Sequence, residues 1–193
     1  MRGVYPGSFN PPTVAHLAIA RAAVAQLGLA RLDLSVSRVA LGKEDLSVPT
    51  LADRLAVLRE VVDGEAGLRV RVTDARLLAD VAAGYDVLVV GADKWAQVLD
   101  PGWYGAPGAL DAALTRLPRV AVAPRTGTPL AAPPPGVQLV VLDLDAAHAD
   151  VSATLARGGR SDLMLPAAAH FDATTGAWSD PDRYRRLRGL AAR

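Results

Sequence analysis

Two short stretches carry groups suited to holding phosphate. The first, GSFNPPTVAH (7–16), sets a glycine, two adjacent prolines, a threonine and a histidine between an extended segment and an apolar helical one. Gly7 permits a backbone conformation, or a close approach, that a side chain would block. Pro11 and Pro12 stiffen the turn and donate no hydrogen bond. Thr13 stands where a helix N-cap belongs, and His16 falls in the first turn, where unpaired N–H groups and the helix dipole favour an anion. The plain alternative is a tight turn with a structural histidine. The second stretch, VSATLAR (151–157), offers hydroxyls at Ser152 and Thr154 with Arg157 about one turn on, again at a helix start. Alone, it reads equally as a capped helix with a surface arginine.

Elements must bring these stretches together. Apolar runs alternate with helix-period segments, the pattern of a parallel sheet with crossover helices. Strands are expected at 1–5, 31–41, 68–74, 85–93, 119–125 and 137–144. Helices are expected at 13–27, closed by Gly28, and at 50–64, with Thr50 as N-cap and Asp53 completing an acidic capping box. The run 85–93 is almost continuously apolar, as in a strand buried on both faces. A proline-rich surface loop, TGTPLAAPPPG, separates the last two strands, and a further helix starts within 150–158. The fold class is α/β, a doubly wound, Rossmann-like parallel sheet of five or six strands. Such a sheet binds ligands at its C-terminal strand ends, near a switch point. The loops 6–16, 91–104 and 143–157 are therefore the places to search. One domain is expected over 1–165, with 166–193 a C-terminal extension packed on it. A lid, an oligomer contact and a frayed end are all open roles for that extension.

The 193 residues are 51% hydrophobic but only 5% aromatic, which suits close-packed helices on a sheet. A net charge of +1 argues against a nucleic-acid partner, although DRYRRLRGLAAR is locally basic and DLDAAHAD acidic. The absence of cysteine excludes disulfides, thiolate nucleophiles and cysteine metal sites. No signal-peptide pattern or membrane-length apolar run is visible, so a cytoplasmic protein without a membrane partner is the expectation.

The first stretch resembles the opening signature of the nucleotidyltransferase superfamily of nicotinate mononucleotide, phosphopantetheine and glycerol-phosphate enzymes. Gly7, Phe9, Pro11, Thr13 and His16 match it; Ala15 stands where the family has glycine. VSATLAR resembles the family's second signature through Ser152, Thr154 and Arg157, with Ala153 replacing a serine. The block 85–125 is similar to nicotinate mononucleotide adenylyltransferases in Gly91, Asp93, Trp103 and Arg125. The segment ARLLADVAAG departs from the family's acceptor wall, and ALGKEDLSVP follows its basic loop only loosely. No Gly-x-Gly-x-x-Gly follows the first strand, which sets dehydrogenases aside.

The resemblance implies transfer of AMP from ATP, with Mg²⁺, to a mononucleotide-type phosphate, nicotinate mononucleotide favoured, and release of pyrophosphate. It assigns catalysis to His16 and Thr13, and triphosphate binding to Gly7, Ser8, Phe9, Ser152, Thr154 and Arg157. Gly91, Asp93, Trp103, Arg125 and Lys43 are assigned to the nucleotide or acceptor, Asp93 on a ribose and Trp103 on a pyridine ring. A helix cap (Asp93), core packing (Trp103) and a solvated lysine (Lys43) are the structural alternatives. No resident metal ligand set is implied. Another acceptor, CTP in place of ATP, a nucleotide-binding protein without turnover, and a homo-oligomer all remain open.

Overall fold

The structure is a computed structural model and describes residues 1–38 and 48–190. Its strands are β1 (Arg2–Pro6), β2 (Arg31–Ser37), β3 (Leu68–Thr73), β4 (Val87–Gly91), β5 (Arg119–Ala123) and β6 (Leu139–Val141). They form one sheet in the order β3-β2-β1-β4-β5-β6, every neighbouring pair parallel. Its helices are α1 (Val14–Leu27), α2 (Leu51–Val62), α3 (Leu78–Val81), α4 (Ala92–Leu99), α5 (Ala109–Leu114), α6 (Ala153–Arg157), α7 (Pro166–Thr175) and α8 (Pro181–Arg188). The expected doubly wound α/β class is observed. β1 pairs with both β2 and β4, so the winding reverses between β1 and β4. That is the switch point where such sheets open a crevice.

The alternation of side chains along each strand divides the core. In β4, Val87 and Val89 join Ala20, Ala23, Leu55 and Leu58 of α1 and α2 on one face. Leu88 and Val90 join Val81, Trp95, Val98 and Leu114 of α3, α4 and α5 on the other. Two covered faces explain why this strand has no polar residue. A third cluster lies outside the sheet: Val57 of α2 packs with Ala156, Met164, Ala168, Trp178 and Tyr184. The segment beyond residue 165, whose periodicity is weak, thus folds as two helices against α2.

Boundaries differ where local chemistry outweighs pattern. β4 ends at Gly91, which is the N-cap of α4, so Asp93 sits in a helix and not at a strand end. β6 covers three residues of the expected 137–144, because at the sheet edge it has only β5 to pair with. β2 stops at Ser37. The Thr50 cap forms, its hydroxyl accepting from Asp53 N at 3.2 Å. The Asp53 carboxylate, however, turns outward to accept from Tyr184 Oη and Arg188. Tyr184 then takes the missing half of the box, accepting from Thr50 N at 3.0 Å. Among the described residues no helix is long and apolar enough to cross a membrane.

Candidate functional site

A cleft of about 490 Å³ opens over the C-terminal ends of β1, β2 and β4. The three loops singled out from sequence all reach it: Gly7, Ser8 and His16 from the first, Gly91, Asp93 and Trp103 from the second, Ser152 and Thr154 from the third. Arg125, just beyond β5, completes the same wall.

The opening turn is built from within. Phe9 has a left-handed φ of 44° and is buried. Its ring folds under Gly7, where a Cβ would lie 2.8 Å from a ring carbon. Gly7 is therefore needed for the close approach of a side chain of this chain itself. The Phe9 ring meets Tyr5 edge-on at 5.5 Å and His16 at 5.1 Å. Phe9 and Thr13, both expected at the ligand, stand behind the cleft surface, where they support it.

His16 Nδ1 accepts from the backbone N–H of Thr13 at 3.0 Å and contacts Thr13 Oγ1 at 2.8 Å. A ring nitrogen that accepts an N–H bond carries no proton, so in the neutral imidazole the proton lies on Nε2. Ala15 is buried and does not line the cleft.

In the second wall, Gly91 and Asp93 are coupled: a Cβ at 91 would lie 2.8 Å from Asp93 Oδ1. Trp103 is half-buried on the lining, whereas Trp95 is fully buried with Nε1 donating to Ala131 O at 2.9 Å. In the third wall, Ser152 caps α6 by accepting from Leu155 N at 3.1 Å. Arg157 is not on the lining; it donates to Asn10 O and, at 3.2 Å, to Thr154 Oγ1. Lys43 lies outside the described residues.

Tyr5 and Arg54 are among the cleft residues that the sequence does not single out. Tyr5, at the end of β1, lines the cleft; burial pushes its hydroxyl pKa well up, Asp93 adds to this and Arg125 opposes it. It is a donor at any ordinary pH. Arg54, in the first turn of α2, is 5% exposed. Its Nη1 donates to Ser8 O at 3.3 Å, and its Nε has no hydrogen-bond partner among the described residues. Burial lowers its pKa, and the group whose charge opposes this is Tyr184, not a carboxylate. A signal existed: Leu51, Arg54, Leu55 and Leu58 share one helix face, so a cation interrupts an apolar stripe. A buried guanidinium aimed at a cleft without a paired carboxylate is a site for an anion.

His16, Arg54, Arg125 and the Ser152-capped helix start thus line one switch-point cleft. Residues 4–159 match the cytidylyltransferase-like family. The chain belongs to that family and is a nucleotidyltransferase. It is 30% identical over 190 residues to the probable nicotinate-nucleotide adenylyltransferase of Bordetella petrii, covering 86% of this chain and 91% of that protein. The fold is also that of Plasmodium falciparum nicotinic acid mononucleotide adenylyltransferase complexed with APC, at 11% identity and a TM-score of 0.66 over 92% of this chain and 96% of that one. The same enzyme complexed with NaAD aligns with a TM-score of 0.65, at the same identity and coverage.

Proposed function

We propose that the protein transfers AMP from ATP to nicotinate mononucleotide. An oxygen of the acceptor phosphate attacks the α-phosphorus of ATP and forms the new P–O bond. The bond to the bridging oxygen breaks, and its electron pair leaves with pyrophosphate. The observation that carries this reading is the meeting of the 7–16 turn and the 151–157 helix start on one cleft, in a chain 30% identical over most of its length to an enzyme named for this acceptor.

The work asked of the protein is alignment and charge stabilisation. His16, with Nδ1 held by Thr13, directs its Nε2 proton to the oxygens of the transferring phosphate. Gly7 and Ser8 line the floor, where the Gly7 N–H is held by Ser35 O at 3.0 Å. Ser152, Thr154 and Arg54 hold the remaining phosphates, and Arg157 orders the turn from behind. Asp93 takes a ribose hydroxyl, Trp103 stacks on the pyridine ring, and Arg125 meets acidic groups of the acceptor.

Among the described residues no group of three His, Asp or Glu side chains is placed to hold a metal ion, and Asp93 is the carboxylate on the cleft. Mg²⁺ would enter with ATP as part of the substrate and supply charge neutralisation on its phosphates.

The test is pyrophosphate release with MgATP or MgCTP against a panel of phosphorylated acceptors. Release with ATP and nicotinate mononucleotide supports the reading. Release only with another pair replaces the substrates, and nucleotide binding without release under any pair removes the transferase assignment.

A further inference from the structure

Part of the opening turn is held from outside it. Pro11 and Pro12 have no N–H to donate, and Asn10, 3% exposed, has a side-chain and a backbone oxygen that need partners. Both partners come from the other end of the chain. Arg157 donates to Asn10 O, and Trp178 Nε1 donates to Asn10 Oδ1 at 2.5 Å. Leu165 N donates to Pro12 O at 3.1 Å, and Thr13 forms an antiparallel bridge with Met164.

Trp178 is itself fixed, not merely packed. Its backbone N–H and that of Ser179 donate to Asp172 Oδ1 at 2.6 and 3.0 Å. Its ring lies edge-on to Phe171 at 5.9 Å, and the residue is 3% exposed. An indole N–H only donates, so it can meet only the oxygen of the Asn10 amide and fixes how that side chain is turned.

We infer that Trp178 is a positioning residue for the reaction: through Asn10 it holds the floor lined by Gly7 and Ser8 and the first turn of α1 that presents His16. The C-terminal extension is thereby a brace of the site. This rests on the reading that the turn seats the transferring phosphate. A floor that shifts by a fraction of an ångström loses phosphate contacts and alignment, so the loss falls on turnover and on ATP binding and not on the acceptor KM.

The test uses the full chain with Trp178→Phe, Asn10→Ala and the double variant. Arg183→Met is the control, because Arg183 donates to Thr174 O at 2.8 Å and so secures the same extension away from the turn. Trp178→Phe is expected to lower kcat about tenfold with acceptor KM within about twofold, while Arg183→Met keeps kcat at comparable loss of thermal stability. The double variant is expected to lose no more than Asn10→Ala alone. Equal losses in Trp178→Phe and Arg183→Met, an unchanged kcat in Trp178→Phe, or additive losses in the double variant would overturn the inference. Should Trp178→Phe fail to fold, Asn10→Ala is read against the same control by the same criterion. If the wild-type protein transfers to no acceptor, the substrate reading has failed, and equilibrium binding of ATP decides the inference separately. Binding weakened about fivefold in Trp178→Phe but not in Arg183→Met supports it; equal affinity overturns it.

Discussion

His16 receives the backbone N–H of Thr13 on Nδ1, so the residue that faces the cleft also closes the first turn of its own helix. The bond fixes both the ring orientation and the nitrogen that carries the proton. His16→Ala is expected to lower turnover a hundredfold or more, about the cost of removing one preorganised donor. It should also lose about 1 kcal/mol of stability with the bond to Thr13. Steady-state kinetics beside a denaturation curve check both, and unchanged turnover would remove His16 from the chemistry.

Arg54→Met separates stability from binding. Replacing a buried, poorly compensated charge by an apolar side chain of similar reach costs little or stabilises the unliganded protein. The same change removes charge-assisted bonds to phosphate, weakening ATP about tenfold or more. Thermal melts with and without MgATP should show an unchanged or higher midpoint alone and a smaller ligand-induced rise. A lower midpoint alone with an undiminished rise would show that Arg54 serves the fold only.

Trp103 is tested on the acceptor. Stacking contributes about 0.5–1.5 kcal/mol beyond burial, so Trp103→Ala should raise the acceptor KM several-fold while ATP KM stays within about twofold. Trp103→Phe should restore most of it. Equal changes in both KM values would point to a packing role.

Asp33 governs acid stability. It is buried in β2, accepting from Arg31 Nε and Nη2 at 2.6 and 2.7 Å and from Tyr85 Oη at 2.6 Å. Burial alone would raise its carboxyl pKa, but Arg31 and Tyr85 together hold it below the ordinary range. A depressed carboxyl contributes stability that is complete above the unfolded-state value and lost as pH falls through the folded-state value. Asp33→Asn should therefore be less stable at neutral pH by about 1–3 kcal/mol, and the two proteins should converge in acid. Urea midpoints across that range check it; curves that stay parallel would exclude Asp33 as the group.

How far the sequence reached follows from what each signal reports. The run at 85–93 and the Thr13 cap were legible because burial on two faces and helix starts leave local marks. The outer strand is shorter than the pattern VQLVVLDL because an apolar pattern does not record where pairing with β5 stops. The helices α7 and α8 were missed by periodicity: Ala-rich and Arg-rich segments leave no clear apolar stripe. Their ends were nonetheless marked, by Pro166 and Pro181 at the starts and Gly176 and Gly189 past the finishes. Arg54 is not singled out by the sequence reading, although a cation in an apolar stripe marks it. The Asn10–Trp178 bond was not legible, since no local pattern records a pair 168 residues apart.

That separation has a consequence for how the molecule is made. Among the described residues the two clusters on the sheet faces draw on none after 144, so a growing chain holds both before the later residues are made. The partner of Asn10 is made 168 residues after it. Translation thus makes both sheet clusters complete before it supplies the indole that meets Asn10.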